Sequence, residues 1–345
     1  MRVVIDTTYA RRAPYSGTGI YTRMLCAELA RRDDVEVVEL ANRRRGQPGG
    51  GGLASVRNAS RDAWWTAIAL PRLASRVGAQ LIHHPLPARV PITSIPQVVT
   101  IHDLSFERLP ELFDRRFRTY AHITHRAAAL AAGAVISVSD TTAHDAQQIW
   151  GVPSDRIVIA KEGPGQMLEA SAEQTPGVPS HFLYVGDEEP RKDLHTLLEA
   201  YRIYRKRSES PLELVLAGSA SAKFDGVRVE QRPDAGHLSR LYREAAALIQ
   251  PSRYEGFGLT AVEAMRLGTP VVAARSPGLL EVGDDAVRFA EPGNAGEFAQ
   301  AMFELAEDSG LRDDLAMRGR RRAAEFSWAQ CARKHLDAYS LALRR

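Results

Sequence analysis

Cysteine and long apolar runs are both scarce in this 345-residue chain. Cys26 and Cys331 are its only cysteines, and they lie far apart with no metal-ligating residues beside them, which argues against a disulfide framework or a zinc ribbon. So few cysteines fit a reducing compartment, and we expect a cytoplasmic protein. No stretch approaches the roughly 20 apolar residues that a membrane-spanning helix needs. The N-terminal stretch MRVVIDTTY has too short an apolar run for a signal peptide and predicts a first β-strand.

An excess of charge of one sign is also lacking, because 45 lysines and arginines stand against 42 acidic residues, for a net charge of +3. This balance gives no reason to expect a nucleic-acid partner. The basic residues do occur in clusters, at 43–45, 115–116, 320–322 and 344–345. Such clusters are typical of a solvated surface or of contact with an anionic partner such as a phospholipid surface, and the sequence leaves both open.

The sequence does contain a regular alternation of short apolar runs and amphipathic stretches. Strands are predicted at 2–5, 35–40, 80–83, 97–101, 134–138 and 157–160. A polar stretch with two prolines at 169–181 has the composition of a linker. After it, strands are predicted at 182–185, 213–217, 228–231, 248–250, 271–274 and 287–289. Regular βα alternation predicts parallel sheets covered by helices on both faces, so we expect two doubly wound α/β domains, Rossmann-like, that face each other across a cleft.

The stretch PSRYEGFGLTAVEAM at 251–265 places two glutamates, Glu255 and Glu263, on either side of a Gly-Phe-Gly turn. The glycines allow the backbone to approach a ligand, and a helix predicted from about Thr260 directs its free N–H groups at the same spot. Such a helix start attracts phosphate. The alternative is that Thr260 and Glu263 form only a capping box, which would leave Glu255 and the glycines unexplained.

A second polar stretch, YVGDEEPRKDL at 184–194, places Arg191 and Lys192 between the end of a predicted strand and a helix. Two adjacent cations there suit a diphosphate, because arginine binds two oxygens and lysine adds a point charge. An Arg-Lys pair is otherwise most often solvent-exposed surface charge. Its position after a βα turn favours the diphosphate interpretation.

Two further stretches lie in the N-terminal half. SGTGIYT at 16–22 is a glycine loop that lacks the third glycine of a dinucleotide-binding fingerprint, so it does not predict NAD, while a ligand contact by its glycines stays open. TIHDLSF at 100–106 places His102 just past a buried strand, where a structural histidine and a substrate contact are both open. H-E-x-x-H, Walker and G-x-S-x-G motifs do not occur.

Together these stretches resemble the retaining GT-B glycosyltransferases of glycosyltransferase family 4 (glycosyl transferases group 1). The resemblance covers essentially the whole chain and is most specific at 251–272. It also includes 137–165, which is similar to the segment leading to the interdomain crossover. It implies an N-terminal acceptor-side domain over 1–168, a donor-binding domain over 169–326, and a C-terminal helix over 327–345 that returns to the N-terminal domain.

The resemblance implies a role for individual residues. Glu255 is expected to contact the donor sugar and Glu263 the ribose hydroxyls. Arg191 and Lys192 are expected to neutralise the leaving diphosphate, and His102 to face the transferred sugar. The expected catalytic residues are His102, Arg191, Lys192 and Glu255. The expected donor-binding residues are Gly17, Gly19, Gly256, Phe257, Gly258, Leu259, Thr260 and Glu263. No metal ligand and no cofactor is expected.

The implied activity is transfer of a sugar from a nucleoside-diphosphate sugar to an acceptor hydroxyl, with retained anomeric configuration and without metal. In the route proposed for the family the leaving phosphate takes the acceptor's proton, so positioned cations and helix termini matter most. The alternatives are a nucleotide-sugar-binding protein without transfer activity and another GT-B enzyme, such as a sugar-nucleotide epimerase. The base, the sugar and the acceptor, which is a glycan, a lipid or a small metabolite, do not follow from the sequence.

Two departures from the family pattern bear on these roles. Lys161-Glu-Gly-Pro-Gly165 stands where the family commonly has Asn-Gly-Val, which changes the contacts expected at the crossover. Asp187 stands where some members have a basic residue, so more of the diphosphate charge falls to Arg191 and Lys192.

The segment RDAWWTAIALPRLASR at 61–76 predicts a helix with two adjacent tryptophans, Trp64 and Trp65, which point about 100° apart. One interpretation is a helix packed on the N-terminal sheet with one tryptophan at its edge. The other is a basic, aromatic face built around Trp64, Ile68 and Pro71 that contacts anionic lipid on the inner face of the membrane. The sequence thus leaves a weak peripheral membrane contact open.

Overall fold

The computed structural model describes residues 1–44, 53–165, 179–219 and 224–345. The described chain divides into two compact units: the first comprises Met1–Glu162 together with Trp328–Arg345, and the second comprises Gly163–Ser327. The C-terminal segment thus belongs to the same unit as the N-terminal half. Most of the predicted linker at 169–181 lies outside the described residues.

Six parallel strands form the sheet of the first unit, in the order β2-β1-β3-β4-β5-β6. The strands are β1 (Arg2–Asp6), β2 (Glu36–Leu40), β3 (Leu81–His84), β4 (Gln97–Ile101), β5 (Ala134–Ser137) and β6 (Ile157–Ile159). The helices of this half are α1 (Thr8–Arg12), α2 (Gly17–Leu29), α3 (Leu53–Trp64), α4 (Leu70–Arg76), α5 (Ser105–Arg108), α6 (Arg115–Ala131) and α7 (Asp140–Trp150). A π-helical segment, Trp65–Ala69, joins α3 to α4.

The second unit has six parallel strands in the order β12-β11-β10-β7-β8-β9. These are β7 (His181–Val185), β8 (Glu213–Gly218), β9 (Val227–Gln231), β10 (Ala245–Gln250), β11 (Val271–Ala274) and β12 (Arg288–Ala290). The helices are α8 (Leu194–Arg207), α9 (Ala235–Arg243), α10 (Leu259–Leu267), α11 (Pro277–Gly283), α12 (Ala295–Glu307) and α13 (Ser309–Ala323), and α14 (Trp328–Leu343) follows in the first unit.

Helices cover both faces of the first sheet. Val3 and Ile5 of β1 pack in one core with residues of α2 and α14. Val4, which lies between them and points to the opposite face, packs with Trp65 and with residues of α4. The second sheet is buried in the same way, and β10 is buried at all six of its positions. Near-continuous apolar strands are what a parallel sheet covered on both faces requires, so the predicted class of two doubly wound α/β units is confirmed.

The helix predicted over 61–76 forms, but its middle widens into the π-helical segment. The N–H of Leu70 bonds to the carbonyl of Trp65, five residues back. Pro71 follows directly, and its ring would clash with the carbonyl four residues before it in a regular α-helix. The wider turn leaves Trp65 buried, with Nε1 donating to Oδ2 of Asp6 at 2.9 Å, while Trp64 is 39% exposed. The helix is therefore packed with one tryptophan at its edge, while a lipid contact through the exposed Trp64 stays a prediction.

The glycine stretch 16–22 is helical, so the predicted loop is wrong. Ser16 caps α2, with its hydroxyl accepting the N–H of Gly19 at 3.1 Å, and Gly17 is the first helical residue. A Cβ at Gly19 would lie 2.1 Å from the carbonyl oxygen of Ala13, so the preceding turn of the chain itself requires glycine there. A role of Gly17 and Gly19 in donor binding stays a prediction.

Candidate active site

The glycine turn between β10 and α10 is fixed by the chain around it. Gly258 has φ +113° and is the N-cap of α10, and a Cβ there would lie 2.8 Å from Cδ2 of Leu279 on α11. A Cβ at Gly278, also on α11, would lie 2.1 Å from the carbonyl oxygen of Glu255. Because no side chain caps α10, the N–H groups at its start are directed at the space beside the turn.

This geometry overturns the capping-box interpretation of residues 260–263. The helix begins at Leu259, so Thr260 lies inside the first turn and cannot act as the N-cap. Glu263 is buried, and the hydroxyl of Tyr242 on α9 donates to its Oε2 at 2.7 Å. Burial and the neighbouring carboxylate raise the pKa of Tyr242 well above its ordinary value, which keeps the phenol protonated as a donor. The ribose role of Glu263 stays a prediction.

Arg191 joins the two sequence stretches that predicted the site. It lies in a short 3₁₀ turn, Pro190–Lys192, which follows β7. Its guanidinium contacts Oε2 of Glu255 at 2.9 Å, Oε2 of Glu189 at 2.8 Å and the carbonyl oxygen of Tyr254 at 3.2 Å. The side chains of Arg191 and Glu255 are each 14% exposed. The predicted surface alternative for this arginine is therefore wrong, because the cation is held against the glycine turn.

Glu255 is an acceptor with several donors around it. Besides Arg191, the hydroxyl of Ser252 donates to its Oε1 at 2.8 Å, and Nε2 of Gln250 lies 3.4 Å from the same oxygen. Burial alone would raise the pKa of Glu255, but the charges of Arg191 and Lys192 with the Ser252 hydrogen bond outweigh it and leave the pKa below its ordinary value. Glu255 is thus an ionised carboxylate at neutral pH.

Lys192 lies on the other side of the same turn. A Cβ at Gly186 would lie 2.8 Å from Nζ of Lys192, so the glycine at the end of β7 leaves room for the amine. The next residue, Asp193, has φ +49° and caps α8 by accepting the N–H of Thr196. The turn therefore places both cations after the carboxyl end of β7, and their role toward a diphosphate stays a prediction.

In the first unit, His102 follows β4 and both of its ring nitrogens face oxygen acceptors. Nε2 lies 2.9 Å from the carbonyl oxygen of Pro85, and Nδ1 lies 3.3 Å from Oε1 of Glu162. The edge of Tyr21 packs against the ring, with centroids 4.6 Å apart. Glu162 is buried and was not predicted as a site residue; the departure from the family pattern at 161–165 was the signal that could have found it.

A directed chain of buried hydrogen bonds lies behind His102. Nδ1 of His335 donates to the Cys331 carbonyl oxygen, so its Nε2 accepts from the hydroxyl of Tyr21. Tyr21 in turn accepts from Thr100, and Nε2 of His83 donates to Thr100. In this arrangement, the imidazoles of His335 and His83 each carry a proton on one nitrogen only. Burial lowers the pKa of His335 to about 4 and lowers the pKa of His83 well below its ordinary value, so both are neutral as the chain requires.

Among the described residues, no group of three or more His, Cys, Asp or Glu side chains is arranged to hold a metal ion. None of the described helices is long and apolar enough to cross a membrane.

The protein has two doubly wound units, each with its own parallel sheet, which is the architecture of GT-B α/β proteins. In the second unit, two cations and the uncapped start of α10 lie beyond the strands. Solved structures support this fold. The chain is 19% identical to sucrose-phosphate synthase from Thermosynechococcus elongatus, with a TM-score of 0.76 over 99% of this chain and 98% of that one. It is 16% identical to HepE from Anabaena, solved with UDP and glucose, with a TM-score of 0.72 over 99% of each chain.

The chain belongs to glycosyltransferase family 4. Residues 15–163 match the family described as Glycosyltransferase Family 4, and residues 169–322 match the family described as Glycosyl transferases group 1. The O-antigen chain mannosyltransferase B of Escherichia coli is 29% identical over 71% of this chain and 70% of that protein. The D-inositol 3-phosphate glycosyltransferase of Nocardia farcinica is 31% identical over 59% of this chain, and the match spans only 52% of that protein. The predicted family and glycosyltransferase class are confirmed.

Proposed function

We propose that the protein transfers a hexosyl group from a nucleoside-diphosphate sugar to an acceptor hydroxyl, with retained anomeric configuration and without a metal ion. The observation that carries this proposal is the ion pair of Arg191 and Glu255 beside the uncapped start of α10. Arg191 is held by three oxygens before any donor binds, so little reorganisation is needed when the diphosphate leaves.

The roles follow from the charges and the exposed backbone. Arg191, Lys192 and the amides of Leu259 and Thr260 stabilise the negative charge that develops on the departing diphosphate. Glu255, ionised at neutral pH, accepts hydrogen bonds from the sugar hydroxyls. The amides that the resemblance assigns to the sugar, those of Phe257 and Gly258, lie in the same turn.

The ribose and acceptor-side roles complete the proposal. Glu263 binds the ribose hydroxyls, with Tyr242 fixing its orientation. His102, Gly17 and Gly19 keep the roles that the resemblance implies, toward the transferred sugar and the phosphates. Gly256 allows the backbone of the turn to approach the sugar.

The relatives support a proposal for the class of substrates. One is a mannosyltransferase of an O-antigen chain, several act on D-inositol 3-phosphate, and a solved structure contains UDP and glucose. We propose a hexosyl nucleotide as donor and a hydroxyl of a glycan or a polyol phosphate as acceptor. A cytoplasmic location is part of the same proposal, because the two cysteines are both free, as a reducing compartment would leave them.

A thermal-shift panel of UDP, GDP, ADP and dTDP sugars tests the donor, since a ligand that binds the native state raises its apparent stability. Glu263→Gln is expected to weaken the response to the selected donor with little change in the unliganded melting temperature. Tyr242→Phe, which removes only the hydrogen bond that fixes Glu263, is expected to have a smaller effect on the same response.

Transfer itself is measured next, with the anomeric configuration of the product read by NMR. An inverted product contradicts retention. Conversion of the sugar nucleotide to an epimer in the absence of acceptor would mean an epimerase, and donor binding without transfer or hydrolysis would mean a binding protein.

A further inference from the structure

Large apolar side chains are exposed unevenly over the described surface. Eleven of them are exposed, and six lie in one stretch of the first unit, between residues 64 and 123. They are Trp64 (39%), Ile68 (37%), Ile92 (87%), Phe117 (46%), Tyr120 (62%) and Ile123 (61%). Isolated exposed apolar residues are normal, but a contiguous set marks an interaction surface.

The strand register shows which side chains share a face of the first sheet. The helices and loops that cover one such face are here called a layer. Val4 pairs with Ile82, so the two side chains point to the same face of the sheet. His84, two residues on, pairs with Val99, which pairs with Val135, so these side chains share that face as well.

The elements that carry the six residues all pack on this face. The π-helical segment, which carries Ile68 and directly follows Trp64 at the end of α3, and the connection 85–96, which carries Ile92, pack with Val4 and Ile82. α6 packs with Val99 and Val135. The other face is covered by α2 and α14. The outer surface of this one layer therefore carries all six side chains.

Helix α6 is the centre of this surface. Ala121, Ala128 and Ala129 face the core. Tyr120 and Ile123 lie on the outer side, and Phe117, three residues before Tyr120, borders them with its ring packed against Phe106 and Phe113, so the three form an apolar stripe. The helix contains four arginines and no acidic residue, and Arg115 and Arg116 are exposed beside the stripe.

Positive charge is concentrated on the same layer. Residues 57–132 contain ten arginines and five acidic residues, although the whole chain has a net charge of only +3. The acidic side chains are engaged in the protein: Glu107 accepts from Nε1 of Trp150, and Asp114 caps α6. Arg44 lies over the ring of Trp64 at 4.7 Å. Arginines around exposed aromatic and aliphatic side chains match an interface that is apolar within and anionic at its surface.

We propose that this layer, the basic apolar face, rests on the surface of an anionic phospholipid bilayer. Its apolar members are Trp64, Ile68, Ile92, Phe117, Tyr120 and Ile123, and its basic members are Arg115 and Arg116. The stripe of α6 enters the headgroup region, and the arginines contact lipid phosphates. This extends the face predicted at 61–76, because α6 supplies three of the six apolar side chains. The proposal is independent of which donor the enzyme uses.

Co-sedimentation of the full-length chain with vesicles tests the proposal. The vesicles are phosphatidylcholine alone and phosphatidylcholine mixed with phosphatidylglycerol. Wild-type protein is expected to bind the anionic vesicles at low ionic strength, to bind less as salt is added, and not to bind phosphatidylcholine alone. Absence of binding to the anionic vesicles at low ionic strength overturns the proposal.

Matched variants locate the surface. Tyr120→Ser with Ile123→Ser is expected to weaken binding about tenfold or more, because two exposed apolar anchors are lost. Arg115→Glu with Arg116→Glu is expected to abolish the salt-dependent part. Met317→Ser and Arg321→Glu, which change an exposed methionine and an exposed arginine of α13 in the second unit, are the controls and should bind as wild type does.

Two further results would count against the proposal. Equal loss of binding in the α13 controls would mean nonspecific charge attraction. A wild-type dimer that Tyr120→Ser with Ile123→Ser converts to a monomer, with vesicle binding unchanged, would mean that the face is an interface between two copies of the chain. Melting temperature and the donor-induced thermal shift are measured for every variant, so a folding defect is distinguished from a lost lipid contact.

Discussion

Arg191 and Glu255 are each 14% exposed at the side chain, so neither can rely on water to solvate its charge. The ionised form of Glu255 depends on its cationic neighbours, because burial alone would raise its pKa and the charges of Arg191 and Lys192 reverse that effect. The stabilisation from its ionised form is therefore present above the ordinary pKa of a glutamate, and it is lost as pH falls through the lower pKa of the folded state. In the proposed site, a donor diphosphate would meet a cation whose position is already fixed.

Arg191 is the residue where this pre-organisation is tested directly. Arg191→Ala is expected to lower kcat by about 10²–10³-fold while KM for the donor changes less, because the charge that it stabilises develops in the transition state. Arg191→Lys, which keeps the charge but not the planar fork, should lie between alanine and wild type. Arg202→Ala, which removes a half-exposed ion pair with Glu199 on α8, is the control. An equal rise in KM with kcat unchanged would show that Arg191 only binds the ground state.

Glu162 is predicted to position His102. It is the acceptor for Nδ1 of that ring, while the carbonyl of Pro85 holds the other nitrogen. Glu162→Gln is expected to lower kcat by roughly tenfold with little change in the donor KM, since it alters ring orientation rather than donor contacts. Glu162→Asp should recover part of the loss. The control is Asp140→Asn, which removes a neighbouring exposed ion pair with Lys161. Unchanged kcat in Glu162→Gln, with a lower melting temperature, would make Glu162 a structural residue only.

At the scale of elements, α14 is held to the first sheet by polar as well as apolar contacts. His335 bonds to Tyr21 of α2, and Tyr339 donates to Nδ1 of His83 on β3. These bonds need neutral imidazoles, because each ring uses one nitrogen as an acceptor. Protonation of His335 or His83 at low pH should therefore weaken the attachment of α14 to the first unit.

The expected pH dependence has a definite sign. The folded-state pKa of His335 is about 4, below the ordinary value for histidine, so the unfolded chain binds the extra proton first. Stability should fall as pH decreases from about 6.5 to 4, by up to about 3 kcal/mol from this group. Urea unfolding at a series of pH values measures it. His335→Gln should show a shallower decline over that window, whereas His144→Gln, at an exposed position of α7, should decline as wild type does. Identical slopes for all three proteins would contradict the assignment.

The elements and the candidate donor-binding stretch could be predicted from the sequence because both are local signals. Period and composition predict the alternating strands, and the Glu-x7-Glu stretch with its glycines lies within fifteen consecutive residues. Contacts between residues that are distant in the sequence could not be predicted from it. Glu162 reaches His102 and Tyr242 reaches Glu263 only through the packing of separate elements, and the choice between Trp64 and Trp65 depended on the π-helical turn before Pro71. The glycines at 16–22 gave a false loop because the close contact that requires one of them is with the chain itself.

At the scale of the whole molecule, the charged residues are distributed unevenly along the chain. The net charge is only +3, yet residues 57–132 carry ten arginines against five acidic residues, whereas Arg191 and Lys192 after β7 stand among Asp187, Glu188, Glu189 and Asp193. A small net charge therefore coexists with strong local fields. At the proposed donor site, protein side chains and a helix start supply the positive charge. This predicts how activity should respond when divalent ions are removed.

Activity is expected to survive the removal of divalent metal ions. Arg191, Lys192 and the uncapped start of α10 together supply the positive charge that a Mg²⁺ ion would otherwise bring to a leaving diphosphate. Protein dialysed against EDTA and then desalted should retain wild-type kcat, and added Mg²⁺ or Mn²⁺ should change it little. Arg191→Ala in the presence of Mg²⁺ provides the matched comparison, because its defect should persist if the arginine, and not a metal, carries this role. Loss of activity in EDTA with recovery on adding Mg²⁺ would show that the diphosphate is held through a metal ion and would withdraw the role assigned to these two side chains.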